Sequence, residues 1–131
     1  MRIPRSIYDE MLEQAREEAP NECCGFLGGK DGTATTLYRA TNAEASPLRY
    51  TLEPDDLFRI TFREIPERDE EMLAIYHSHT ASPAYPSQTD INLATYPDSI
   101  YLIVSLADGE EPLRGFRIED GEVAEVELTL E

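Results

Sequence analysis

The chain has 131 residues, and its 27 Asp and Glu against 11 Lys and Arg give a formal net charge of −16. Such acidity repels a phosphate backbone, which argues against nucleic acid as a partner, and no apolar stretch approaches the roughly 20 residues of a membrane span. The length predicts one domain over residues 1–131, with a core that folds without disulfides or structural metal. Solubility, a salty or hot environment, and steering of a basic partner all remain open as explanations of the charge.

The N-terminal half is predicted to contain two amphipathic helices and a β-hairpin. Apolar residues recur at helical spacing from Ile7 to Ala15, and Pro20 ends that helix. The next apolar run is closed by glycines, which predicts a buried strand, and the segment after it is rich in β-branched residues. The predicted elements are a helix over residues 3–19, strands over 22–29 and 33–40, a short strand over 49–52, and a helix over 54–64.

Two adjacent cysteines lie in the first of these strands. Cys23 and Cys24 do not readily bridge each other in ordinary geometry. We expect Cys24 to be a small buried core residue, and we assign no role to Cys23. Because no secretory leader pattern precedes them, we expect a reducing, cytoplasmic location.

The C-terminal half is predicted to be mostly strand. A continuous apolar run over residues 72–76 leads directly into His77, which places the histidines at the end of a buried central strand. The predicted elements are that strand, a loop over 80–86, a helix from Ser87 to about Tyr96, strands over 99–106 and 113–118, and a last strand ending near Leu130. The fold class is therefore α/β, with a central mixed sheet flanked by two or three helices.

Residues 77–90 carry the strongest chemical signal. They hold both histidines of the chain, His77 and His79, followed by Ser87 and Asp90. Alternation along a strand places the two imidazoles on one face. Two imidazoles and a carboxylate form a metal site whose fourth position stays open, as in catalytic zinc sites, where the pKa of bound water falls toward about 7.

Each part of this pattern also has a purely structural interpretation. Ser87 and Asp90 have the spacing of a capping box, which satisfies the first amides of a helix. Histidines at a strand end are often only hydrogen-bonded surface residues. The functional interpretation is favoured because both histidines, the serine and the acid fall in one turn-rich segment after a buried strand.

The spacing His77-x-His79, seven residues, then Ser87-x-x-Asp90 resembles the signature of the JAMM (MPN+) zinc metalloproteases. An upstream block of that family is similar to residues 20–29, which include Glu22. The resemblance implies a single MPN/JAB domain similar to the cytidine-deaminase-like fold, with Zn²⁺ held by His77, His79 and Asp90. It also implies that Glu22 is the general base and acid, and that Ser87 stabilises the oxyanion.

The resemblance further implies hydrolysis of an amide or isopeptide bond after the C-terminal glycine of a ubiquitin-like or sulfur-carrier β-grasp protein. Loops over residues 42–52 and 80–86 are candidate walls of the groove. Many relatives have Pro after the second histidine and Trp before the first, whereas this chain has Thr80 and Tyr76. We expect these changes to alter loop shape and leave metal binding intact.

Two other functions remain open. A non-catalytic MPN scaffold would bind partners through the same fold, although such proteins typically lose ligands that this chain keeps. Two histidines and a carboxylate also form the facial triad of non-haem Fe(II) proteins. Cupin-type folds of that class are nearly all β, whereas this chain is predicted to contain two convincing helices.

Overall fold

An eight-stranded mixed sheet organises the chain in the computed structural model, which describes residues 1–109 and 111–131. The strand order is β7-β6-β5-β4-β2-β3-β1-β8, and β4 pairs with β5 in parallel at the centre. The strands are β1 Arg2–Ile3, β2 Cys24–Lys30, β3 Thr33–Ala40, β4 Glu71–His79, β5 Ile100–Ser105, β6 Leu113–Glu119, β7 Glu122–Val126 and β8 Thr129–Leu130.

Helices cover both faces of this sheet, which confirms the predicted mixed α/β class. They are α1 Arg5–Glu18, α2 Pro54–Arg59, α3 Ile65–Glu67 and α4 Gln88–Leu93, with a π-helical turn Ile60–Glu64 joining α2 to α3. None of the described helices is long and apolar enough to cross a membrane.

Alternation along the strands divides the core in two. On one face, Met11 and Ala15 of α1 pack with Leu27 of β2 and Tyr76 of β4. On the other face, Ile60 and Ile65 pack with Phe26, Ile75 and Ile103. The histidines of β4 belong to this second face, because His77 pairs with Cys24, a member of the same cluster.

Two hairpin turns match the predicted positions. Asp31 and Gly32 have φ angles of 53° and 75°, and Asp120 and Gly121 have φ angles of 51° and 78°. Consecutive positive φ values match the twist of antiparallel strands, and Asp-Gly is the sequence that adopts them most readily. These turns set the register of β2 with β3 and of β6 with β7.

The structure corrects four predicted boundaries. Residues 49–52 form only a single bridge, between Asn42 and Leu52, because the Asn42 side chain takes the backbone bonds that a strand would make. The second helix runs on through the π-helical turn to α3. The last predicted strand is divided, so that β7 and β8 lie at opposite edges of the sheet.

The fourth correction concerns α4, which ends at Leu93 and not near Tyr96. The Tyr101 hydroxyl accepts hydrogen bonds from the backbone N–H groups of Thr95 and Tyr96, at 2.9 and 2.8 Å. These bonds turn the backbone toward β5 and take the place of helical ones. The helix is therefore short and sits directly over the end of β4.

Candidate metal centre

Three side chains converge where β4 ends and α4 begins. The Nε2 atoms of His77 and His79 are 3.2 Å apart, and each lies 3.1 Å from Oδ2 of Asp90. Both histidines are almost completely buried. The structure thus brings together the two imidazoles and the carboxylate that the sequence singled out.

A capping box holds Asp90 in this position. The Ser87 backbone N–H donates to Asp90 Oδ2 at 2.9 Å, and the Asp90 N–H donates to Ser87 Oγ at 3.1 Å. The same carboxylate oxygen therefore caps the helix and faces both imidazoles. The structural and functional interpretations of Ser87 and Asp90 are compatible, because the cap fixes the rotamer that aims the carboxylate.

The hydrogen bonding of His79 leaves its Nε2 atom available as a ligand. Nδ1 of His79 lies 2.8 Å from the carbonyl oxygen of Pro83, which only accepts, so Nδ1 carries the proton. In the neutral ring Nε2 then has a lone pair directed at the shared point. Burial lowers the pKa of His77, which favours the neutral, ligand-competent form of that ring, whereas at His79 burial is outweighed by the hydrogen bonds with Asp90 and Pro83, which raise the pKa.

These atoms fit a metal ion. Bonds of about 2.0 to 2.1 Å to a tetrahedral zinc place neighbouring ligand atoms about 3.3 Å apart. The spacings of 3.1 to 3.2 Å among the three atoms are close to that value. A buried set of two nitrogens and one carboxylate oxygen, with no cationic side chain among them, is better explained by a metal than by hydrogen bonds alone.

Glu22 lies beside this cluster, just before β2 begins. Cys24 pairs with His77, and the Ser78 N–H donates to the Cys23 carbonyl at 3.1 Å, so the antiparallel register continued by one step sets Glu22 across from His79. Glu22 is buried, and its Oε1 atom has no hydrogen-bond partner among the described residues. Burial raises the pKa of Glu22 to about 7, a value suited to exchanging protons near neutral pH.

An apolar cavity of about 290 Å³ opens next to Asp90. Its walls include Tyr50, Leu52, Leu57, Leu93 and Tyr96. The loop over residues 42–52, predicted as a groove wall, therefore does line a cavity at the site. Sequence reasoning did not single out Tyr50, whose ring stacks on His77 with centroids 4.5 Å apart.

Both cysteines are buried, and they belong to opposite faces of the sheet. Cys23 packs in the α1 cluster, and Cys24 packs in the cluster on the site's face. Burial raises the pKa of the Cys23 thiol to about 11 and raises that of the Cys24 thiol further. Thiolates are disfavoured at both positions, and both residues pack as core residues.

The donor set, the buried acid beside it and their place at the end of a mixed sheet are typical of metal-dependent hydrolases. The chain belongs to the prokaryotic homologues of the JAB domain, since the model of that family matches residues 4–119.

Named relatives agree with this membership. A CysO-cysteine peptidase of Mycobacterium tuberculosis is 41% identical over 126 residues, covering 94% of this chain and 86% of that protein. A desampylase of Haloferax volcanii is 36% identical over 104 residues and covers 74% of each chain. The predictions of the JAMM family and of a JAMM-type peptidase are confirmed.

Solved structures share the fold. The solution structure of a protein from Desulfitobacterium hafniense has a TM-score of 0.89 and 35% identity, covering 100% of this chain and 93% of that one. A JAB1/MPN domain protein from Archaeoglobus fulgidus has a TM-score of 0.65 at 23% identity, covering 99% and 98%. The predicted MPN/JAB architecture is therefore confirmed.

Proposed function

We propose that the chain is a zinc-dependent peptidase that hydrolyses the amide or isopeptide bond after the C-terminal glycine of a ubiquitin-like or sulfur-carrier β-grasp protein. The observation that carries this proposal is the convergence of His77, His79 and Asp90 beside the buried, uncommitted carboxyl of Glu22. The activities named for the Mycobacterium and Haloferax relatives support the substrate class.

In this proposal His77, His79 and Asp90 hold Zn²⁺. The ion supplies Lewis acidity, which lowers the pKa of water and polarises a carbonyl oxygen. His79 is oriented for this task by its bond to Pro83, and Asp90 is oriented by the Ser87 cap. Such secondary contacts keep ligands in place when substrate exchanges at the site.

Glu22 moves the proton. Its carboxylate accepts a proton from the attacking water as the new carbon–oxygen bond forms, and it donates that proton to the leaving nitrogen as the carbon–nitrogen bond breaks. Because Oε1 has no partner among the described residues, no existing hydrogen bond has to break before the proton arrives.

Ser87 stabilises the oxyanion in this proposal. Its Oγ atom accepts a bond from the Asp90 N–H, which leaves the hydroxyl hydrogen available to donate. A donor aimed at a developing negative charge stabilises the transition state more than the ground state. The same hydroxyl can therefore cap α4 and assist the reaction.

A substrate tail that ends in glycine can approach this site closely. Glycine has no side chain to clash with the walls, and larger side chains further along the tail can enter the apolar cavity next to Asp90. An extended tail of this kind binds in many proteins as an added strand.

The test mixes zinc-loaded protein with several β-grasp proteins that are extended beyond a Gly-Gly terminus, and it reads the products by intact mass. We expect one β-grasp product that ends at the terminal glycine, and no product after the zinc is chelated. Tight binding without cleavage of any substrate would instead favour the non-catalytic scaffold. Cleavage or turnover that requires iron and oxygen would favour the non-haem iron alternative.

A further inference from the structure

His77 lacks the second contact that usually orients a metal-binding histidine. Such a ring normally donates its other N–H to a carboxylate, carbonyl or water, and this bond fixes its orientation. His79 has such a contact, with Pro83. Nδ1 of His77 is buried and has no hydrogen-bond partner among the residues that the structure describes.

An aromatic ring instead contacts the face of His77. Tyr50 stacks on the imidazole of His77, with the ring centroids 4.5 Å apart and the ring planes 22° from parallel. No hydrogen bond to the Tyr50 hydroxyl occurs among residues 1–109 and 111–131. The face of the ring, and not its hydroxyl, is therefore what meets His77.

The backbone around Tyr50 is held from both sides. The Asn42 side chain donates to the Arg49 carbonyl at 3.1 Å and accepts from the Thr51 N–H at 3.0 Å. The same amide donates to the Glu22 carbonyl at 3.1 Å. Because Asn42 is buried, these bonds are shielded from water, and they tie the Tyr50 segment to Glu22, which lies just before β2.

We propose that Tyr50 is a positioning residue, whose aromatic face holds the His77 ring in its metal-binding orientation in place of a hydrogen bond to Nδ1. Offset stacking restricts rotation of the imidazole, because tilting the ring costs the contact area between the two faces. Asn42 supports this arrangement by fixing the backbone on either side of Tyr50. The inference rests on the proposed zinc site but not on the identity of the substrate.

The competing interpretation is that Tyr50 only fills space between the loop and the cavity. The two interpretations differ in what they predict for zinc affinity. A space-filling residue changes stability alone, whereas a positioning residue changes the affinity of the site for zinc, with an effect that depends on keeping an aromatic ring.

The experiment measures zinc affinity by competition with a chelator of known affinity at fixed pH. It compares the wild-type protein with Tyr50→Phe, Tyr50→Leu and the control Leu52→Ala, which alters the same segment and cavity without removing the aromatic ring. We expect Tyr50→Phe and Leu52→Ala to stay within about twofold of wild type. Tyr50→Leu is expected to bind zinc about tenfold more weakly, as other losses of ligand-orienting contacts do.

The proposal is overturned if Tyr50→Leu binds zinc as tightly as wild type, or if Tyr50→Phe is weakened as much as Tyr50→Leu. Should Tyr50→Leu fail to fold, Tyr50→Met carries the same comparison, since its flexible side chain refills the gap without a ring. If the wild-type protein itself binds no zinc, the proposed function fails. Equal affinity in all variants removes only the role of Tyr50.

Discussion

The two ends of β4 carry polar clusters of opposite character. Just before the strand begins, Glu70 accepts hydrogen bonds from the hydroxyls of Thr35, Thr36 and Tyr38, with the Thr36 bond at 2.6 Å. Where the strand ends, the carboxyl of Glu22 and the Nδ1 atom of His77 are buried without partners in the described chain. Strand β4 therefore has two different ends. At the saturated end the Glu70 carboxylate is already hydrogen-bonded, and at the uncommitted end the buried Oε1 atom of Glu22 and Nδ1 atom of His77 have no partners among the described residues.

This difference separates structural from functional polar groups. A carboxylate whose oxygen atoms already accept several hydrogen bonds stabilises the fold and has little capacity left to bind or react. Buried polar groups without hydrogen-bond partners are costly to keep, so their presence indicates a task that needs them. The pKa values agree in direction. Burial raises that of Glu22, whereas for Glu70 burial is outweighed by hydrogen bonds from the three hydroxyls, which lower the pKa.

The largest expected effect comes from removing a proposed zinc ligand at the uncommitted end of β4. Asp90→Ala should lose bound zinc and reduce cleavage to background, because two imidazoles alone hold the ion weakly. Metal analysis of the purified variant checks this result. Asp98→Ala, which removes an exposed acid outside the site, should keep both zinc and activity. Full zinc content in Asp90→Ala would contradict the ligand assignment.

A smaller loss is expected from Ser87, where the capping and catalytic roles can be separated. Ser87→Ala should lower kcat by about 10² to 10³, as the loss of an oxyanion donor does, and should also lower stability by about 1 kcal/mol. Ser87→Gly costs a cap only a few tenths of a kcal/mol, so it should show the same loss of kcat with nearly unchanged stability. Steady-state kinetics and urea unfolding measure the two effects. A wild-type kcat in Ser87→Gly would contradict the oxyanion role and would show that Ser87 only caps the helix.

The smallest effect on activity is expected at the saturated end. Glu70→Gln should lower the free energy of unfolding by about 1 to 2 kcal/mol while zinc content and kcat stay at wild-type values. Because the pKa of Glu70 is lowered on folding, its contribution is present above the ordinary pKa and is lost as the pH falls through the folded value. Urea unfolding measured near neutral pH and in acid should therefore show that the difference in free energy of unfolding between wild type and Glu70→Gln becomes smaller in acid. A reduced kcat in Glu70→Gln would contradict the claim that the Glu70 end of β4 stabilises the fold without serving the reaction.

Much of the site could be predicted from the sequence, because the three side chains that converge there are close in the chain. His77 and His79 are separated by one residue on a strand, and Asp90 lies at a fixed position of a capping box, so local geometry places all three. Glu22 is distant in sequence and depended on the resemblance of its block to the JAMM family. Its position across from His79 follows from the pairing of β2 with β4.

Features that arise only from tertiary packing could not be predicted. Tyr50 contacts His77 because the Asn42 side chain hydrogen-bonds the backbone on both sides of Tyr50. No periodic pattern in the sequence marks such contacts. The division of the last predicted strand has a similar origin, since β8 pairs with β1 at the opposite edge of the sheet. Early ending of α4 likewise depends on a side-chain contact, with the hydroxyl of Tyr101 on β5.

The central claim, that the uncommitted carboxyl of Glu22 performs the chemistry, is tested most directly by the cleavage rate of Glu22→Gln at the zinc content of wild type. The substitution keeps the shape of the side chain and removes its ability to accept the proton. We predict a rate at least about 10²-fold below wild type with zinc fully retained, the range expected for loss of a general base. Cleavage by zinc-loaded Glu22→Gln at the wild-type rate would contradict the account.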